Sequence, residues 1–219
     1  DLNYEGTGYQ SIPTTLIVAW AVKKWHLSYS VLIPMAFTFE GPTSWRIPLD
    51  DQTLDLKVLQ NYDESVFMTG ATAARKLSND WSLGISLYGQ YYSYLSFTDM
   101  RGSMVENPAT IIQSTDRVTR YPFNLLLIGG IHKKWDKWSL GMRVQVPSIY
   151  LFGKGSYYHY SYNNFAGPDL VFTDELEISD VRGDFKTPLG RGICTVYRPD
   201  DKWLLAFDLG YRFPLQYDI

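Results

Sequence analysis

The chain has one cysteine, Cys194, and three histidines in 219 residues. A lone thiol closes no internal disulfide, and no Cys or His spacing of a metal site is present. Charge of one sign is missing too. Twenty basic residues against 23 acidic ones leave a formal net charge of −3, which points to neither nucleic acid nor an acidic surface as a partner. No apolar run approaches the roughly 20 residues of a transmembrane helix. No signal peptide stands at the start, so the chain reads as mature or as a piece of a longer protein. Aromatic residues are what the chain has in plenty: 17 Tyr and 7 Trp bring them to 16%.

The aromatics are not scattered. "KWHLSYSVLI", "DWSLGISLYGQYY", "KWSLGMRVQV" and "KWLLAFDLGY" repeat one phrase, aligned on Trp25, Trp81, Trp138 and Trp203. At even steps from each Trp stand apolar residues, such as Leu27, Leu83, Leu140 and Leu205, then Tyr29, Ile85, Met142 and Phe207. The interleaved positions are small, polar or charged: Ser28, Gly84, Gly141 and Ala206, then Ser30, Ser86, Arg143 and Asp208. A period of two is the strand period. A turn signal precedes every Trp ("VKKW", "LSNDW", "KKWDKW", "RPDDKW"), and another strand-like run precedes every turn. Each unit is therefore a hairpin with a short turn. The connections between hairpins, such as "EGPTSWRIPLDDQTLDLKVLQNYDES" and "SYNNFAGPDLVFTDELEISDVRGD", read as long polar loops. The interval between Trp residues drifts, which a solenoid or propeller does not allow but an array of hairpins does.

Two architectures accept such hairpins. A β-sandwich buries the apolar face against a second sheet, and a transmembrane barrel turns it to lipid while the polar face lines a lumen. Trp25, Trp81, Trp138 and Trp203 at the start of each returning strand fit a lipid-facing aromatic girdle. Tyr and Phe recur at the far ends, as Phe37 and Phe39, Tyr91 and Tyr92, Tyr150 and Phe152, Tyr211 and Phe213. Strands of about ten residues with short turns at one end and long loops at the other are the outer-membrane pattern. The expectation is an all-β, antiparallel transmembrane β-barrel.

"SIPTTLIVAWAVKKWHLSYSVLIPMAF", "ATAARKLSNDWSLGISLYGQYYSYLSF", "GGIHKKWDKWSLGMRVQVPSIYLFGKGSYY" and "LGRGICTVYRPDDKWLLAFDLGY" resemble, in order, successive hairpins of the FadL-type transporters. These carry long-chain fatty acids and other hydrophobic compounds across Gram-negative outer membranes. The resemblance covers nearly the whole chain. It implies a monomeric barrel of fourteen strands, plugged by an N-terminal hatch. About eight strands can be counted, nothing like the hatch precedes them, and "PLQYDI" lacks the terminal aromatic of a finished barrel. Residues 1–219 thus read as a partial outer-membrane barrel domain, the second to about the ninth strand. A complete eight-stranded barrel with a filled lumen is the competing account.

Proline removes a ladder donor, and Pro34 lies inside "SVLIPMAFTF". The resemblance implies a wall opening there, through which substrate leaves sideways into the membrane. The plain alternative, supported by Pro147 at the matching position, is a strand leaving the membrane to become loop. Arg143, Asp208 and Arg212 fall on the lumen face, as do Tyr88, Gln90, Tyr92 and Gln145. They either hold a ligand or form a solvated wall. The aromatic stretches from Tyr88 to Phe97 and from Tyr150 to Tyr162 are where an amphipathic ligand would be sought. His26 and His132 lie beside turns, and with His159 they make no metal or catalytic spacing. The acidic run from Thr173 to Asp180 reads as solvated outer loop, or as a site for cations bridging lipopolysaccharide. "FGKGS" fails as a phosphate loop, since Ser148 stands where its first Gly is required. No cofactor is expected, and no constellation marks an enzyme.

The function expected is passive uptake of long-chain fatty acids or other hydrophobic small molecules through the bacterial outer membrane. The partners are that ligand, membrane lipid and lipopolysaccharide, with no nucleic acid. An outer-membrane structural or adhesive barrel with functional loops, or a general porin, is the alternative.

Overall fold

The structure, a computed structural model, describes residues 3–4, 6–10, 14–164, 171–183, 185–200 and 202–214. Most of "PLQYDI" lies outside them. Among the described residues all regular structure is strand: β1 (Asn3–Tyr4), β2 (Thr7–Gln10), β3 (Thr14–Val22), β4 (Trp25–Leu49), β5 (Gln52–Lys76), β6 (Trp81–Met104), β7 (Ile111–Trp135), β8 (Trp138–Gln145), β9 (Ile149–Asn163), β10 (Phe172–Arg182), β11 (Gly190–Tyr197) and β12 (Leu205–Arg212). They form one antiparallel sheet. β1, β2 and β3 follow one another along β4, β9 continues β8 along β7, and β10 and β11 run beside β9 and β8. The twelve strands are thus eight passes, the number expected.

Local chemistry fixes the turns before each Trp. Lys23 (φ 55°) and Asp136 (φ 39°) open the two-residue turns into β4 and β8, where a positive φ suits the twist of the flanking strands. Before β6 the Ser78 hydroxyl accepts the backbone N–H groups of Asp80 and Trp81 at 3.4 and 3.2 Å. Ahead of β12 the Asp200 carboxylate accepts those of Lys202 and Trp203 at 2.9 and 3.0 Å. Short polar side chains that bond their own backbone make such turns locally.

At the other end the structure corrects the reading of long loops. β4 and β5 stay paired as far as Leu49 opposite Gln52, with Asp50 (φ 52°) in a two-residue turn. The run 40–65 is therefore a continuation of two strands. The acidic run 173–180 likewise belongs to β10, paired with β9. Each of β4 and β5 is 25 residues long, about 80 Å at the usual rise. In this extension Leu54, Leu56 and Val58 of β5 face inward and Asp55 and Lys57 outward, but Gly41, Pro42 and Pro48 on the paired β4 make the sequence look like loop.

The sheet curls into half a barrel. On its inner face strands two places apart touch, although they are about 9.6 Å apart in the plane of the sheet. Ser30 of β4 bonds the Tyr88 hydroxyl of β6 across β5 at 3.3 Å. Val66, Met68, Tyr92 and Leu126 are buried there against Leu32, Met35, Tyr88, Tyr94, Ile128 and Phe185. No second sheet packs on either face among the described residues, which removes the sandwich alternative.

Candidate functional site

Side-chain alternation puts the apolar face of the hairpins outside. Leu83, Ile85 and Leu87 are each about half exposed, whereas Gln90 and Tyr92 on the opposite face retain 5%. This apolar outer face is confined to a band. On β4 the outward residues are Trp25, Leu27, Tyr29, Val31 and Ile33; farther along they become Thr38, Glu40 and Ser44. On β7 Ile131, Leu127, Leu125, Phe123 and Tyr121 give way to Thr119, Arg117 and Thr115. The band is about ten residues tall, the length of a transmembrane strand.

The register staggers the four Trp residues evenly from strand to strand. Trp25 pairs with Arg75, which pairs with Leu83, then Ile131, Met142, Ile193 and Leu209. Trp81 stands two residues before Leu83, Trp138 four before Met142, and Trp203 six before Leu209. This lag is one residue per strand, or about 3.4 Å for every 4.8 Å of sheet, so strands tilted by about 35° hold all four at one height. All four are exposed, and Trp203 lies just outside β12. Arg75 sits over the Trp25 ring at 5.5 Å and Lys133 over the Trp81 ring at 5.0 Å, as cations do at a wet edge.

Pro34 does not end its strand. Leu32 pairs with Met68 and Met35 with Val66, so Ile33 and Pro34 together oppose Phe67. This is a β-bulge, a place in a sheet where proline is tolerated. The extra residue exchanges the two faces of β4. Beyond it Phe37 and Phe39, expected on an outer girdle, point inward, while Tyr91 and Phe152 remain outward and exposed. Pro34→Val is expected to leave the bulge in place and shift stability by less than about 1 kcal/mol, measured by urea unfolding. A larger loss would show that the proline itself maintains the register change.

The bulge completes an inward-facing aromatic wall. Phe37 meets Tyr62 edge-on at 5.7 Å, Tyr62 meets Tyr94 edge-on at 5.4 Å, and Tyr94 stacks on Tyr92 at 6.2 Å. Glu64 accepts hydrogen bonds from the hydroxyls of Tyr62 and Tyr92, the latter at 2.9 Å. Burial first, then the Glu64 bond, push the Tyr62 hydroxyl above its usual pKa, so it stays a neutral donor. A cavity of about 420 Å³ opens among Phe37, Phe39, Tyr62, Glu64, Ser96 and Thr98. The Arg120 guanidinium lies 5.9 Å from the Tyr94 ring. Of the expected ligand residues, Tyr88, Gln90 and Tyr92 belong to this wall or its lower edge. Tyr94 lies in the stretch from Tyr88 to Phe97 where a ligand was expected, whereas Phe37, Tyr62, Glu64 and Arg120 were missed. Pro34 inside a strand was the one signal that could have exposed the change of face.

Below the wall the sheet is interrupted. β8 stops at Gln145 and β11 begins at Gly190, while β9 and β10 resume pairing at Lys154 opposite Arg182. Pro147 lies in this break, not at a strand end of the kind expected of Pro34. Residues 185–189 turn onto the inner face, where Phe185 stacks on Tyr92 with ring centres 3.9 Å apart. The Asn124 amide donates to the Phe185 carbonyl at 2.9 Å, and the Gln145 amide to that of Pro188 at 3.1 Å. Thr187 donates its N–H to the Ser148 hydroxyl and its own hydroxyl to Gln90, at 2.7 and 2.9 Å.

The remaining expected residues stand apart from the aromatic wall. Arg143 lies across Gly192, where a Cβ would come within 2.7 Å of its Nε. Asp208 pairs in register with Cys194, and the two line a cavity of about 380 Å³ with Arg143. Arg212 is exposed on β12, opposite Gly190. His159 bonds Asp116 at 2.9 Å, which also accepts from Tyr157 at 3.0 Å. Among the described residues no group of side chains could hold a metal ion.

No family model, curated protein or solved structure matches the chain.

Proposed function

We propose that this chain forms part of the wall of an outer-membrane β-barrel that carries hydrophobic small molecules, long-chain fatty acids or similar, passively across the membrane. The observation that carries the reading is the apolar outer band, closed below by the ring of Trp25, Trp81, Trp138 and Trp203. Such a band costs free energy in water and is stable in lipid. The protein is then a monomeric carrier and not an enzyme. Its ligand rests on the inner aromatic wall, with the apolar chain against Phe37, Tyr94 and Tyr92 and an acidic head toward Arg120. Lipid and lipopolysaccharide surround the band, while the long strand extension stands outside. Of the two interruptions in the wall, the Pro34 bulge is where the family resemblance implies a lateral exit.

Uptake of a labelled long-chain fatty acid by cells making the full-length protein tests the function. Tyr92→Ala is expected to lower both uptake and equilibrium binding about tenfold or more, since it removes a buried ring from the lower end of the wall. Pro34→Val is expected to keep binding and reduce uptake, because the bulge persists but the restored N–H donor ties β4 more closely to its neighbour and narrows the opening. Wild-type uptake no greater than that of cells lacking the protein would refute transport, and unchanged uptake in Pro34→Val would remove Pro34 from the route.

A further inference from the structure

Residues 185–189 cross the inner face at the break in the wall, and Phe185 places its ring on Tyr92 at 3.9 Å with the planes 8° apart. Tyr92 is also the wall residue on which the proposed ligand rests. We propose that residues 185–189 are a strap that occupies the lower end of the ligand site with its own ring, and that a bound ligand displaces it. This rests on the reading of the aromatic wall as the ligand site.

Three further observations bear on it. First, the strap is held by side chains and isolated backbone bonds, such as that from Phe213 N–H to the Leu189 carbonyl at 2.9 Å, and not by a ladder. Between residues 146–153 and 185–189 no ladder pairing runs, and one backbone bond, from Ser148 N–H to the Thr187 carbonyl at 2.9 Å, joins the two sides. Second, its polar seat is incomplete. Asn124 is wholly buried, and while its amide nitrogen donates to the strap, its Oδ1 has no partner. An unsatisfied buried acceptor lowers the stability of the closed arrangement relative to one in which water or a ligand reaches it. Third, the break is flanked by backbone that cannot close up with ordinary residues. A Cβ on Gly153 would lie 2.3 Å from the Tyr121 carbonyl oxygen, and one on Gly183 2.8 Å from that of Lys154. The closed strap therefore seals the break mainly through Phe185, Thr187 and their partners, and these contacts are the ones a ligand on Tyr92 contests.

The experiment uses the full-length protein reconstituted in bilayers, with cis-parinaric acid as the fluorescent probe. Removing the internal competitor should help the ligand, so Phe185→Ala is expected to tighten probe binding by about tenfold, while Tyr92→Ala weakens it. In a Cys194→Ser background, the pair Ser148→Cys and Thr187→Cys, at positions already joined by two bonds, fixes the strap with a disulfide. Oxidised, this variant is expected to bind the probe at least tenfold more weakly than after reduction. Weaker or unchanged binding in Phe185→Ala, with Tyr92→Ala still impaired, would overturn the strap and leave the ligand site standing. Equal affinity before and after reduction of a disulfide confirmed by mass would do the same. If Tyr92→Ala binds like wild type, the ligand site itself fails and the strap with it.

Discussion

Val144→Arg should cost roughly 2–4 kcal/mol of folding free energy in a bilayer, because its side chain leaves the middle of the outer band, and Leu83→Arg, two residues from Trp81, about 1–2 kcal/mol. Leu83 and Val144 are 50% and 46% exposed. In a water-soluble protein an arginine at such positions would cost almost nothing. Ser86→Arg is the contrast. Ser86 faces inward, where its hydroxyl bonds Thr72 at 2.8 Å, and its loss should cost about 1 kcal/mol while the charge reaches a wet lumen. Urea titration of protein refolded into lipid vesicles measures all three. Equal tolerance on both faces would contradict a lipid-facing band.

Gly153→Ala should be nearly as damaging, for a different reason. Gly153 has φ 137°, a conformation that alanine adopts only under strain of about 1–3 kcal/mol. Its missing Cβ is also the space occupied by backbone of Tyr121 and Pro122, at 2.3 and 2.5 Å. Pro122, almost wholly buried, donates no hydrogen bond to either neighbour, so this crossing tolerates little adjustment. Loss of folded protein on a heat-modifiability gel is the expected outcome. Assembly at wild-type yield would show that β9 bends freely here.

The band was legible because its two faces differ in chemistry. Leu83 against Gly84, or Val144 against Arg143, states which side each residue takes, and local turn residues such as Asp136 and Ser78 set where the strands reverse. The extension was illegible for another reason. Leu54, Leu56 and Val58 do alternate with Asp55 and Lys57, but the run is short and its partner on β4 carries Gly41, Pro42 and Pro48, residues that read as turn. The aromatic wall was hidden by a single residue of register. Counting by twos from Trp25 puts Phe37 outside, and only the bulge at Pro34 brings it to Tyr62. The strap is a nonlocal feature, since nothing near Phe185 announces that Tyr92 lies against it. The family resemblance rests on the four hairpin motifs alone.

Depth-dependent quenching of Trp fluorescence tests the lipid-facing band most directly. Variants that each retain one of Trp25, Trp81, Trp138 and Trp203 would be refolded into vesicles whose lipids carry bromine at graded depths. A register lag of one residue per strand places all four indoles at the same shallow level, near the headgroups. One common quenching maximum at that level is the predicted result. Maxima spread over the bilayer, or no quenching at any depth, would contradict it.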